Sequence, residues 1–206
     1  MSNETASSAA SSLATAGAAA KPITPGDRRR VTVLRQVIEP GGVGVECGVF
    51  RGAFSRALLE ELAPRTLYLM DPWYLLTREW HWGDGDRSTI SALCNILRAF
   101  EEELVAGRVK LRIGDDLESL GQLPDAHLDW AYVDSSHQYA QTVKELALLR
   151  RKVRPGGIVA GHDWQADPSH RHHGVCKAVG EAVERGEFAM VLVDEPTIQW
   201  AVRVPG

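Results

Sequence analysis

Five apolar runs in this chain each give way to an acidic residue: residues 43–45 to Glu46, 66–70 to Asp71, 109–113 to Asp115 and Asp116, 128–133 to Asp134, and 158–160 to Asp163. One acid after an apolar run is an ordinary helix cap or a solvated turn residue. Five in the same position point to a ligand that carries positive charge or donates hydrogen bonds. Two stretches hold most of the chemistry. In VECGVFRGAFS, Glu46 opens a loop with glycines four apart, Gly48 and Gly52. Glycines let backbone come close to a ligand. In VDSSH, Asp134 and His137 stand three residues apart, within reach of one another over one helical turn.

The first stretch is not the GxGxxG of dinucleotide sites, and no lysine-bearing phosphate loop follows it, which disfavours a triphosphate. Asp71, after the second run, is placed to accept from ribose hydroxyls. Asp115 or Asp116, after the third, is placed to accept from an adenine amino group. A cationic nucleoside suits such an acidic rim. In the second stretch, Asp163 follows Asp134 by 29 positions, at the end of the next run. Adjacent parallel strands would set the two carboxylates side by side, where they repel unless a cation or a proton lies between them. Oxygen ligands suit Mg²⁺. His162 beside Asp163 suits a transition ion instead, and a site without metal is the third option. His137 is the candidate general base, since an ordinary imidazole titrates near pH 6.5; a helix-capping histidine is the plainer alternative. The run His170-Arg171-His172-His173 reads as a solvated loop, with His172 or His173 left to face a substrate from the rim. No two-histidine, one-carboxylate iron set stands out.

The elements that must position these residues follow from periodicity. Apolar residues at helical spacing predict helices over 27–38, 53–62, 138–153 and 174–184. Pro40-Gly41-Gly42, Pro64 and Pro155-Gly156-Gly157 punctuate them. Residues 188–193 and 197–204 read as two final strands around an Asp-Glu-Pro turn, a hairpin. Alternating strands and helices predict a mainly parallel sheet covered on both faces, with ligands bound beyond the carboxyl ends of its strands. Residues 73–91, WYLLTREWHWGDGDRSTIS, are long for a strand-to-helix connection and read as a lid. Residues 1–24, rich in Ala and Ser, read as a disordered tail, leaving 25–206 as one domain.

VECGVFRGAFS, YLMDPW, RIGDD and WAYVDSSHQYAQTVKELALLRRKVRPGGIVAGHDW together resemble the class I S-adenosylmethionine-dependent methyltransferases, from about Val43 to Trp164. Within them the resemblance is to the small-molecule branch of macrolide-sugar O-methyltransferases and cephalosporin-hydroxylase-like proteins. It implies a Rossmann-like, doubly wound α/β fold with a seven-stranded sheet whose last strand runs antiparallel. It implies S-adenosylmethionine as cofactor, lined by Glu46, Gly48, Val49, Phe50, Gly52 and Ser55. Asp71 and Trp73 would hold its ribose end, Asp115 or Asp116 its adenine, and Asp134 would close the set. Related metal-dependent enzymes carry an acid pair where this chain has His162-Asp163. The metal expectation here is therefore Asp134, His162 and Asp163 around a divalent cation, Mg²⁺ or Mn²⁺.

Composition narrows the class. The 206 residues carry a formal net charge of −4 and are 44% hydrophobic. That balance lacks the basic excess of a nucleic-acid surface, and no apolar run approaches a membrane span. Three cysteines, Cys47, Cys94 and Cys176, without a CxxC pair, suit reduced thiols in the cytoplasm. The expectation is a cytoplasmic methyltransferase acting on a small-molecule hydroxyl, with a homo-oligomer through the aromatic segment near Trp80 left open. A nucleotide-dependent oxidoreductase or hydroxylase-like enzyme is one alternative, and a non-catalytic S-adenosylmethionine-binding protein another.

Overall fold

In the computed structural model, which describes residues 22–73 and 87–206, seven strands form one sheet between two layers of helices. The first helix, α1 (Pro25–Leu34), starts at a capping box: Thr24 and Asp27 bond each other's backbone N–H, and Pro25 takes the first turn. Then follow β1 (Val43–Cys47), α2 (Ala53–Glu61), β2 (Thr66–Asp71), α3 (Arg87–Ala99), α4 (Glu101–Val105), β3 (Val109–Ile113) and α5 (Asp116–Gly121). The second half comprises β4 (Leu128–Val133), α6 (Tyr139–Lys152), β5 (Val153–Gly161), α7 (His173–Glu184), β6 (Ala189–Asp194) and β7 (Gln199–Arg203).

The strand order is β3-β2-β1-β4-β5-β7-β6. The first five strands are mutually parallel, and β7 lies antiparallel between β5 and β6. This is the Rossmann-like sheet expected, with its antiparallel last strand. All five residues of β1 are buried, as they must be in a central strand with helices on both faces. Residues of β4 alternate between the two layers. Trp130 and Tyr132 pack with Leu58, Leu62 and Ile96 on one face, while Ala131 and Val133 pack with Leu146, Leu149 and Val179 on the other. Each fully buried Leu or Ile contributes roughly 2 kcal/mol.

Strand β5 is longer than the expected 158–160. It already pairs at Val153 with Leu128, and the Pro-Gly-Gly segment forms an irregularity before pairing resumes at Trp130 with Ile158. The chain order reverses at β1, which β2 and β4 flank. The carboxyl ends of β1, β2, β4 and β5 therefore meet around one crevice, the place where open α/β sheets bind ligands. Among the described residues, no helix is long and apolar enough to cross a membrane. Most of the expected lid lies outside the described residues, and its last part is the start of α3. The expected tail likewise lies outside them up to residue 21.

Candidate active site

A cavity of about 550 Å³ opens at this edge, within the usual range for small-ligand sites. Its wall includes the loop from Gly48 to Phe54, with Glu46, Asp71, Asp134 and His137 below it and Arg30 and His172 at the sides. The backbone around it is unusual. Phe50 (φ 48°), Trp73 (φ 40°), His137 (φ 58°) and Asp163 (φ 61°) are all left-handed without being glycine. Such residues cost on the order of 1–2 kcal/mol each and gather where a site needs them.

The loop is held from below. Asp71 Oδ2 accepts from the backbone N–H of Val49 (2.9 Å) and Phe50 (2.8 Å), and Oδ1 from that of Trp73 (2.7 Å). Burial pushes the Asp71 carboxyl up, against those three hydrogen bonds. Gly48 is required by geometry: its φ is +87°, and a Cβ there would lie 2.1 Å from the carbonyl oxygen of Asp134. Glu46 is 1% exposed. Burial raises its carboxyl to about 8, although the Ser55 hydroxyl that donates to it opposes the rise.

Asp134 is the hub of the second stretch. Arg30, from α1, donates through Nη2 to Asp134 Oδ2 and to the Tyr132 hydroxyl, both at 2.7 Å, with its guanidinium 3.9 Å from the Phe54 ring centroid. Tyr132 donates on to Gln199, whose amide returns to the Arg30 carbonyl. The other Asp134 oxygen, Oδ1, lies 3.2 Å from His137 Nε2 and 3.7 Å from His162 Nδ1. Asp163 Oδ2 lies 3.1 Å from His137 Nε2 and 3.3 Å from His162 Nδ1, and Asp163 Oδ1 lies 2.8 Å from His172 Nδ1. Burial works to raise both carboxyls. For Asp134 the hydrogen bond with His137 and the charge of Arg30 outweigh it, and for Asp163 the bonds with His162 and His172 do, so both sit below the usual range. Burial works to lower His137, yet its bond to Asp134 and the charges of Asp163 and Asp134 raise it.

Glu46, Gly48, Val49, Phe50, Gly52, Asp71, Asp134 and His137 all line the cavity. Four expected cofactor residues stand elsewhere, each for a physical reason. Ser55 is fully buried beneath Glu46. Trp73 turns into the core through its left-handed backbone, its indole N–H donating to the Phe50 carbonyl at 2.9 Å. Asp115 caps α5, accepting from Leu117 and Glu118. Asp116 is buried beside Glu145, and both carboxyls are pushed up by burial. The His170–His173 run is more than a solvated loop: His172 enters the site, and His173 bonds the Gln165 carbonyl. With it the structure assembles a two-histidine, one-carboxylate group, His137, Asp163 and His172, that the sequence reading did not find. Arg30 was missed as well. It is 104 positions from Asp134 and sits in a run of three arginines, Arg28 to Arg30, with no motif around it.

A family model described as a methyltransferase domain matches residues 45–164, the span from the middle of β1 to just past β5. The chain belongs to the methyltransferase-domain family. No curated protein matches this methyltransferase in sequence. Solved structures match its fold. The fibrillarin pre-rRNA processing protein of Methanococcus jannaschii is 16% identical at a TM-score of 0.61, over 89% of this chain and 77% of its own. Methyltransferase PaMTH1 of Podospora anserina, solved with S-adenosylhomocysteine, is 13% identical at 0.60, over 87% and 76%. The geranyl diphosphate C-methyltransferase of Streptomyces coelicolor A3(2), solved with Mg²⁺, geranyl-S-thiolodiphosphate and S-adenosylhomocysteine, is 10% identical at 0.60, over 85% and 75%. The methyltransferase has the class I fold, and its family uses S-adenosylmethionine. At these identities the likeness concerns fold alone.

Proposed function

We propose that this methyltransferase transfers the methyl group of S-adenosylmethionine to a hydroxyl oxygen of a small molecule, with His137 as general base. One arrangement carries the reading: an imidazole on the cavity wall, fixed between two carboxylates by contacts of 3.2 Å to Asp134 and 3.1 Å to Asp163. The cavity suits the cofactor, because Glu46, Asp71 and Asp134 present three carboxyl groups to a ligand that bears a sulfonium and an ammonium. Bound there, the cofactor supplies an electrophilic methyl carbon. The loop from Gly48 to Gly52, held by Asp71, would fix its position, and in-line placement accounts for much of such a rate. The acceptor oxygen forms the new bond to carbon, the carbon–sulfur bond breaks towards sulfur, and the hydroxyl proton passes to His137 Nδ1, because Nε2 carries the hydrogen directed at the Asp134 and Asp163 carboxylates.

A divalent cation held by Asp134, His162 and Asp163 belongs to the same proposal. It would relieve the repulsion of the two carboxylates and acidify a hydroxyl near it. A small acceptor and the absence of a nucleic-acid role rest on the net charge of −4; a cytoplasmic location rests on the unpaired cysteines. Turnover of labelled S-adenosylmethionine with a panel of sugar, phenol and polyketide hydroxyls, by the wild type and by His137→Ala, tests the reading. Labelled ether products from the wild type support it. Equal turnover by the variant removes His137 from the base role.

A further inference from the structure

We propose that Arg51 and Arg171, which both line the cavity, select an acceptor that carries an oxyanion, a carboxylate or a phosphate, besides the hydroxyl to be methylated. This rests on the methyl-transfer reading above and gives its acceptor a chemical class.

The acids that line the cavity are already engaged. Asp71 accepts from three backbone N–H groups, Asp134 is held by Arg30 and His137, and Asp27 closes the capping box of α1. Glu46 is buried and accepts from Ser55. Arg30 is paired with Asp134 in turn. Arg51 and Arg171 are different. Both are exposed on the same cavity, and among the described residues neither forms an ion pair. The Arg51 guanidinium lies 4.8 Å from the centroid of the Phe50 ring. The arginine charge left unpaired at the cavity wall is therefore positive, in a chain whose net charge is −4.

Both arginines stand on anchored backbone. Arg51 follows Phe50 in the loop that Asp71 holds through the N–H groups of Val49 and Phe50. Arg171 belongs to the loop before α7. There Asp167 Oδ1 accepts from the Ser169 N–H (2.9 Å) and hydroxyl (2.8 Å), the Asp167 carbonyl accepts from the His170 N–H (3.0 Å), and His173 Nδ1 bonds the Gln165 carbonyl at 2.8 Å. A side chain carried on such a loop has less freedom to lose when it grips a ligand.

Their place is beside the chemistry. His172 follows Arg171 directly, and its ring centroid is 4.7 Å from that of His137. An acceptor hydroxyl at His137 Nδ1 thus puts the rest of a small acceptor beside Arg171. A guanidinium presents parallel N–H donors that match the oxygens of a carboxylate or phosphate. Without those cations, the acids of the cavity would repel an anionic acceptor. The two arginines therefore decide whether such an acceptor enters.

The test is ligand-detected NMR titration of the metal-free full chain, saturated with S-adenosylhomocysteine so that the cofactor's own carboxylate is already seated. Two matched pairs serve as probes: protocatechuate and its amide, and glucose phosphate and glucose. In at least one pair the anion should bind at least about tenfold tighter than its neutral partner, and the preference should shrink as NaCl rises from about 20 to about 300 mM. Which pair shows it tells carboxylate from phosphate. Arg51→Gln and Arg171→Gln should each weaken that anion about 3–5-fold, and together at least about tenfold. The neutral partner should bind all four proteins alike. No preference in either pair, or a preference kept by the double variant, overturns the inference. So does a loss of S-adenosylhomocysteine affinity above about threefold in the double variant, which assigns the arginines to the cofactor's carboxylate instead. The same titrations without S-adenosylhomocysteine separate the two readings. Cofactor binding without anion preference sinks this inference alone, while anion preference in a chain that binds no cofactor sinks the methyl-transfer reading and leaves the anion site standing.

Discussion

Glu46→Gln should make the protein more stable in alkali. The folded chain buries this carboxyl at the end of β1 with 1% exposure, and burial raises it from 4.5 to about 8. Between those two values the folded state holds a proton that the unfolded state has released. Stability therefore falls as pH rises through this window, by up to about 1.4 kcal/mol per unit. Integrated to pH 8.5, the penalty is about 4 kcal/mol, a large share of a typical domain's 5–15 kcal/mol. Glutamine keeps the shape of the neutral acid and cannot ionise. Asp71, Asp116 and Glu145 are also raised by burial, so the wild type's full slope has several sources, and only its difference from the variant belongs to Glu46. Urea unfolding followed by tryptophan fluorescence should give similar stabilities at pH 5 and a variant about 4 kcal/mol more stable at pH 8.5. Binding of a cationic cofactor should reverse the effect by favouring the carboxylate. Calorimetry at pH 7 in two buffers of different ionisation enthalpy should then show close to one proton released per cofactor bound, and close to none for Glu46→Gln. Parallel stability curves for the two proteins from pH 5 to 8.5 would refute the reasoning.

Three further outcomes follow from the geometry. Gly48→Ala should cost about 3 kcal/mol or more in urea unfolding, because its left-handed φ of +87° combines with a Cβ position 2.1 Å from a backbone oxygen that cannot give way; a loss under 1 kcal/mol would contradict the packing described. Asp71→Asn should cost about 2 kcal/mol, since an amide cannot accept all three backbone N–H groups that the carboxylate accepts, and should weaken S-adenosylhomocysteine binding about tenfold by loosening the loop. His137→Gln should lower kcat by roughly 10²–10⁴ while leaving S-adenosylhomocysteine affinity within about threefold; equal losses in both would make His137 a binding residue instead of a base.

The sheet was readable because its strands are short apolar runs punctuated by Pro and Gly, and the strand-end acids marked its functional edge. Glu46, Asp71 and Asp134 line the cavity at that edge as their positions implied. What spacing could not give was side-chain direction. Asp115 and Asp116 also follow a strand, but the helix that begins immediately after them claims one as its cap and buries the other. Trp73 follows Asp71 closely, yet one left-handed residue turns it into the core. Arg30 and His172 reach Asp134 and Asp163 from α1 and from the loop before α7, and only tertiary packing makes those meetings. The three-arginine run in α1 held a weak signal: Arg30 lies next to buried Val31, on the side of the helix that leads inward.

The most direct measurement is calorimetric titration of the full chain with S-adenosylmethionine and S-adenosylhomocysteine. Micromolar binding of both, one per chain, is the expected result, with a loss of about tenfold in Asp71→Asn. A folded protein that binds neither would contradict the account at its centre.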